Sequence, residues 1–301
     1  MTSVAAPQTG SDVASTETTT TADSALAPSA DCIADSAGGL TFDITDPGEP
    51  GTAHLLLRLR DAGAPTGGAD PAEHEVRLPL TPSADGRLRA ALPSSMELAE
   101  GRWDAYVEVP GTPAPRRLVP GVNDLRSLVD RAPSGARGHV AVRIPYPTKH
   151  GNLTVRSWHR APHAEVGEIG LDQAGAALTG RVYGTGLTEK AYVEARRRSE
   201  PHRTHRAEVT AHGPEFTATV DFGELADSGA GVWDLWLHPA GESGPRVRLA
   251  RILDDVADKK AIFLYPTTRV VVPQGVLQAG PYYTTDNDLS IRVTEAQKAS
   301  N

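Results

Sequence analysis

A single cysteine in 301 residues rules out an intramolecular disulfide and any cysteine-rich metal site. No apolar run comes near the roughly 18 residues that a membrane-crossing helix needs, so no span is expected. The opening stretch, MTSVAAPQTGSDVASTETTTTADSALAPSA, has neither a basic n-region nor an apolar h-region and does not read as a secretory signal. Together these absences predict a cytoplasmic protein. Catalytic signatures are missing as well. There is no G-x-S-x-G elbow, no H-E-x-x-H, no G-x-x-x-x-G-K-[ST], and no G-x-G-x-x-G joining a strand to a helix. The reading therefore leans away from an enzyme and requires no cofactor.

Ala, Ser and Thr supply 22 of the first 37 residues, and no aromatic residue is among them. Such a segment cannot bury enough apolar surface to offset its ordering entropy, so a disordered tail is expected over 1–37. It carries Cys32 and five carboxylates (Asp12, Glu17, Asp23, Asp31, Asp35) but no Lys or Arg. Without it the net charge moves from −8 to about −3. A nearly neutral folded part is not the footprint of a nucleic-acid binder.

Beyond the tail, the chain says the same thing twice. GRWDAYV at 101–107 answers to GVWDLWL at 231–237, each after an acidic ELA segment. Upstream, AHLLLRLRDAG and HEVRLPLTPSADGRLRAAL match AYVEARRRSE and HRAEVTAHGPEFTATVDF. Downstream, Asn152-Leu153-Thr154-Val155-Arg156 matches Asp288-Leu289-Ser290-Ile291-Arg292. A self-match this long signals duplication of a whole domain, expected at 38–160 and 161–301.

Within each copy the apolar residues alternate with period two, in short runs broken by Gly, Pro, Asp and Asn. SADG (83–86) and AHGP (211–214) read as hairpin turns. Only 122–132 and 249–260 carry a helical hint. The expected fold is all-β: two tandem antiparallel β-sandwiches of immunoglobulin-like type. Trp103 and Trp233 should point inward and fill the two centres. Asp104 and Asp234 then alternate outward, with Tyr106 and Trp236 just beyond them as candidate sugar-stacking rings.

Histidine and acidic clusters offer weaker candidates. His159 with His163, or His202 with His205, have spacings compatible with zinc, although Pro162 breaks the first pair. Asp254, Asp255, Asp258, Asp286 and Asp288 present oxygens without the spacing of a calcium loop. Solvated loop side chains are the simpler reading, and no metal is expected. The sharpest feature is chemical asymmetry. Residues 190–206, KAYVEARRRSEPHRTHR, hold six Lys or Arg, whereas the matching connection in the first copy is neutral to acidic. Since a fold requirement acts on both copies alike, Arg196, Arg197, Arg198, His202, Arg203, His205 and Arg206 are the candidate anion-binding residues. The competing reading is a solvated, charged hairpin.

Residues 231–293 add a likeness. GVWDLWL…RVRLARILDD…IFLYPTT…PYYTTDNDLSIRV resembles the β-rich accessory segments that accompany glycosyltransferases and CDP-glycerol glycerophosphotransferases in actinobacteria, often labelled simply "transferase". The resemblance spans about residues 38–301 and rests on structural motifs. It carries over no catalytic residue, and it implies a setting in the synthesis of an anionic cell-wall polymer or glycan. The expected role is an accessory or binding module for such a polymer, a glycan or a partner transferase. The alternative is a transferase with its active site between the two sandwiches.

Overall fold

Side chains that alternate between apolar and polar give a segment one oily face, and such segments reach low energy as paired strands. Twenty-one strands form among the described residues of this computed structural model, 27–45, 53–60, 74–129, 131–133 and 138–296. The first copy contributes β1 (Ser29–Ala34), β2 (Leu40–Ile44), β3 (His54–Leu59), β4 (Glu75–Pro79), β5 (Thr81–Pro82), β6 (Leu88–Leu92), β7 (Gly101–Glu108), β8 (Arg116–Arg117), β9 (Val119–Asp124), β10 (Val140–Pro147) and β11 (Leu153–Arg160). The second contributes β12 (His163–Leu171), β13 (Gly175–Tyr183), β14 (Tyr192–Arg197), β15 (Thr204–His212), β16 (Glu215–Asp221), β17 (Gly231–Glu242), β18 (Val247–Ala250), β19 (Thr268–Val272), β20 (Gly275–Tyr283) and β21 (Leu289–Glu295).

The first copy makes two sheets, β5-β6-β2-β1-β9 and β10-β11-β7-β3-β4, with β8 beside β7. Phe42, Ile44, Leu55, Leu57, Trp103 and Val155 belong to its core. The second copy departs from the expected sandwich. Its β15 pairs with β14 through one half and with β16 through the other. Its β18 pairs with both β17 and β12, and β14 also pairs with β17. Seven strands thereby close into a barrel, from which β21, β20 and β19 extend. The all-β class holds, but the immunoglobulin-like tandem sandwich is replaced by this closure. The matching segments of the first copy are interrupted twice, at Leu80 between β4 and β5 and at Leu118 between β8 and β9, and proline marks the first break. Where β15 runs unbroken, the first copy has Pro79 and Pro82 around Leu80, and a proline nitrogen donates no ladder hydrogen bond. Nor are the sheets purely antiparallel, because β1–β9 and β12–β18 pair in parallel.

The helical hints resolve differently too. Residues 122–132 hold the end of β9 and one 3-10 turn, Arg126–Leu128, while 251–260 form no helix. The one α-helix among the described residues, Phe222–Asp227, lies in what the sequence presents as an acidic turn. Asp221 caps it by accepting the amides of Gly223 and Glu224. Both predicted hairpin turns occur where placed, with Gly86 and Gly213 at positive φ (70° and 63°), a conformation that favours glycine.

Residues 1–26 of the expected tail, and 61–73 of the first copy's connection, lie outside the described residues. The tail nevertheless ends earlier than expected. Ser29–Ala34 is a strand paired on both edges, and Ala30, Cys32 and Ala34 are buried in the first core. Cys32 therefore sits inside the folded part. Burial, with the charges of Asp31 and Asp43 adding to it, pushes its thiol well up from the ordinary value. A thiol reagent should leave Cys32 unmodified in native buffer and label it fully in denaturant, read by intact mass. Rapid native labelling would contradict the strand. The expected boundary near 160 falls in the short link from β11 to β12.

Candidate functional site

Why Trp-Asp recurs is visible in the side chains. Trp103 and Trp233 are buried, and the next residue, on the opposite face, anchors a four-group cluster. Asp104 accepts hydrogen bonds from Arg60 Nη2 (2.5 Å), Arg117 Nη2 (2.7 Å) and Thr154 Oγ1 (2.9 Å). Asp234 accepts from Arg198 Nη2 (2.6 Å), Arg248 Nη2 (2.8 Å) and Ser290 Oγ (2.9 Å). The second guanidinium of each cluster also donates to the backbone, Arg117 to the Ala105 carbonyl and Arg248 to that of Leu235. The glycine two residues before each tryptophan sits in a tight place. A Cβ on Gly101 would collide with Leu59, and one on Gly231 would lie 3.0 Å from Arg197 Nε.

Burial alone would raise both carboxyls. The hydrogen bonds and charges of the paired arginines, helped by Thr154 and Ser290, outweigh it and hold Asp104 and Asp234 below the ordinary range. A depressed folded-state pKa contributes stability that is present above the unfolded value of about 3.9 and is lost as pH falls through the folded value. Acid unfolding of the Asp104→Asn, Asp234→Asn double variant should thus show a smaller loss of stability below about pH 4 than the parent. Parallel acid profiles would contradict the clusters.

The candidate sugar-stacking rings lie on this outer face, half-buried, and each carries guanidinium groups. Arg58 and Arg117 lie 5.3 and 4.9 Å from the Tyr106 centroid, and Arg246 and Arg248 lie 4.4 and 5.2 Å from that of Trp236. On the barrel the patch widens: Tyr192 stacks on His238 at 4.4 Å and carries Arg206 at 4.4 Å. Arg246 is exposed and makes no ion pair among the described residues.

The basic stretch is spread out rather than convergent. Arg196 pairs with Glu194 at 2.8 Å, Arg198 with Asp234, Arg203 with Glu200 at 3.5 Å, and Arg206 with Glu242. Arg197 turns away, donating to the Ala230 carbonyl at 2.7 Å and lying over Trp233. His202 is exposed, while His205 stands edge-on to Trp233 and 3.7 Å from Glu224. Of the seven residues, Arg196, Arg198 and Arg206 join the outer face that carries Tyr192 and Trp236, Arg198 through its pair with Asp234.

The histidine pairs and acidic runs have other partners. His159 lies tilted against His139 with ring centroids 4.5 Å apart, and His163 is bonded to Glu165 at 2.7 Å. Asp254 holds Lys259 at 2.5 Å, Asp286 holds Arg156, and Asp288 holds Arg160. Among the described residues no group of three His, Cys, Asp or Glu converges as a metal requires.

Asp286 and Asp288 belong to a junction between the copies that sequence reasoning missed. The 284–288 turn of the second copy rests on β7 and β11 of the first. Arg102 donates to the Thr285 carbonyl (2.8 Å), Arg156 to Asp286 (2.9 Å), the Trp158 indole to the Asp286 carbonyl (3.1 Å), and Arg160 to Asp288 (2.6 Å). Ile252 and Leu253 pack into the same core cluster as Trp158. Beside this contact lies a cleft of about 400 Å³ lined by Arg60, Arg102, Tyr146, Arg156, Ala257, Asp258 and Thr285. The available signal was a mismatch between copies, Arg102 against Val232.

No protein-family model matches the sequence, and no curated protein matches it. Among solved structures, the chain is similar to residues 217–571 of TarS from S. aureus, with 12% identity and a TM-score of 0.36 over 46% of this chain and 40% of that one. The longer S. aureus TarS gives 11% identity and a TM-score of 0.36 over 53% and 28%. A chimeric titin Z1Z2 gives 12% identity and a TM-score of 0.17 over 74% and 95%. The chain thus spans less than half the length of either TarS structure. Scores of this size do not establish a shared fold.

Proposed function

We propose that the chain is a non-catalytic accessory module that binds an anionic glycan of the cell-wall polymer kind, on its own or beside a partner transferase. The observation that supports this reading is the outer face of the barrel. Trp236 and Tyr192 lie there with Arg246 and Arg206 stacked on them, and the exposed Arg246 pairs with no carboxylate among the described residues. Aromatic faces and edges suit sugar rings, and guanidinium forks suit phosphate or carboxylate. No helix of the described residues is long and apolar enough to cross a membrane, and a cytoplasmic setting is part of the proposal.

The alternative, a transferase working between the two copies, draws on the junction cleft. Its lining offers one carboxylate, the exposed Asp258, and neither a His nor a Cys. Incubation of the purified chain with a nucleotide sugar or a CDP-polyol and a polyol-phosphate acceptor separates the two. The proposal expects bound polymer and no transfer; measurable transfer would favour the alternative.

A further inference from the structure

Arg102 on β7 and Arg156 on β11 stand directly opposite each other in the antiparallel ladder. Like charges facing across a pair of strands are destabilising, so this arrangement calls for an anion over both. The duplicated fold does not demand it, because the second copy puts Val232 opposite Arg292 at the same register. The anion present is Asp286, one carboxylate, nearly half exposed (47%), serving both guanidiniums at 3.4 and 2.9 Å. The next carboxylate, Glu100, is 4.0 Å from Arg156 and is already held by Arg160 at 2.9 Å. The Arg156 side chain is only 4% exposed, and its Nε finds no hydrogen-bond acceptor among the described residues. Burial accordingly lowers its pKa, with the Arg102 charge acting in the same direction.

We propose that the cleft between the two copies is a site for a phosphate ester on a small polyol or sugar, held by Arg102 and Arg156 over Asp286. A tetrahedral oxyanion can accept from two guanidinium forks at once, which a single carboxylate shared between them does incompletely. A volume of about 400 Å³ suits a ligand of this size, and such sites favour the seam between domains. Tyr146 from the first copy and Thr285 from the second border the same space, and both bear hydroxyls able to bond a polyol. Both copies are needed to build the site. The inference goes beyond the barrel-face reading and does not depend on it.

The test uses the full chain at low ionic strength, titrated with glycerol 3-phosphate, glucuronate and uncharged glycerol. The reporter is the Trp158 indole N–H resonance, since that group donates to the Asp286 carbonyl beside the cleft. Glycerol 3-phosphate should shift it saturably, glucuronate more weakly, and glycerol not at all. Arg102→Ala should weaken binding about tenfold or more, as for loss of a charge-assisted hydrogen bond. Asp258→Asn, which removes an exposed carboxylate from the lining and leaves Asp286 in place, should strengthen it, a gain that disturbed folding cannot mimic. An indole signal unmoved by phosphate, or a shift indifferent to both substitutions, would overturn the site. Glucuronate binding tighter than phosphate would overturn the ligand class. Polymer binding that fails while glycerol 3-phosphate still shifts Trp158 would count against the barrel face alone.

Discussion

Trp103→Ala and Trp233→Ala should each lower stability by about 3–5 kcal/mol, the cost of emptying a large buried site. Both rings are buried, 1% and 0% exposed, at matching positions in the two cores. Tyr106→Ala and Trp236→Ala should cost less, since those residues are on the outer face, partly exposed beneath arginine side chains. The two buried tryptophans also differ from each other. The Trp103 indole donates to the Ala99 carbonyl at 3.0 Å, whereas that of Trp233 has no acceptor among the described residues. Phenylalanine at 103 should therefore cost about 1 kcal/mol more than at 233, the net worth of one hydrogen bond. Denaturant unfolding followed by far-UV circular dichroism reads all of these. Equal damage at all four positions would show that the strand phase is wrong.

A loss of similar size is expected at Asp254. Lys259 is fully buried, and its ammonium is bonded to Asp254 at 2.5 Å and to the Val256 carbonyl at 3.0 Å. Burial pulls the Lys259 pKa down, opposed chiefly by the Asp254 charge. Asp254→Ala leaves a buried ammonium without its counter-ion and should cost about 3–5 kcal/mol. Lys259→Met keeps the volume and removes the charge, so it should cost less than about 1.5 kcal/mol. The order of the two melting temperatures checks the pair. A harmless Asp254→Ala would mean that Lys259 reaches water.

These residues mark what the sequence could and could not say. The inward tryptophans were legible because strand alternation is a local signal. Strand β1 was hidden because Ala30, Cys32 and Ala34 carry too little apolar surface to stand out from an Ala- and Ser-rich tail. They become core only once β2 and β9 flank them. Barrel closure was hidden as well, because it depends on which neighbours β15 and β18 pair with, and periodicity does not encode that. The Asp104 cluster joins residues 13 to 50 positions apart, so no motif reveals it. Asp254, Asp286 and Asp288 look like free acids in sequence, yet each proves to hold a cation. The basic stretch was legible as charge but not as geometry, since strand alternation and local carboxylates scatter it over two faces.

Binding of a glycerol-phosphate polymer across a salt series tests the central claim most directly. If the barrel face is the binding surface, affinity falls steeply as salt rises, because each neutralised phosphate releases counterions. Arg206→Glu with Arg246→Glu should then abolish binding and leave the melting temperature nearly unchanged, as expected of exposed charges. Binding that ignores salt, or that survives the double reversal, would contradict the account.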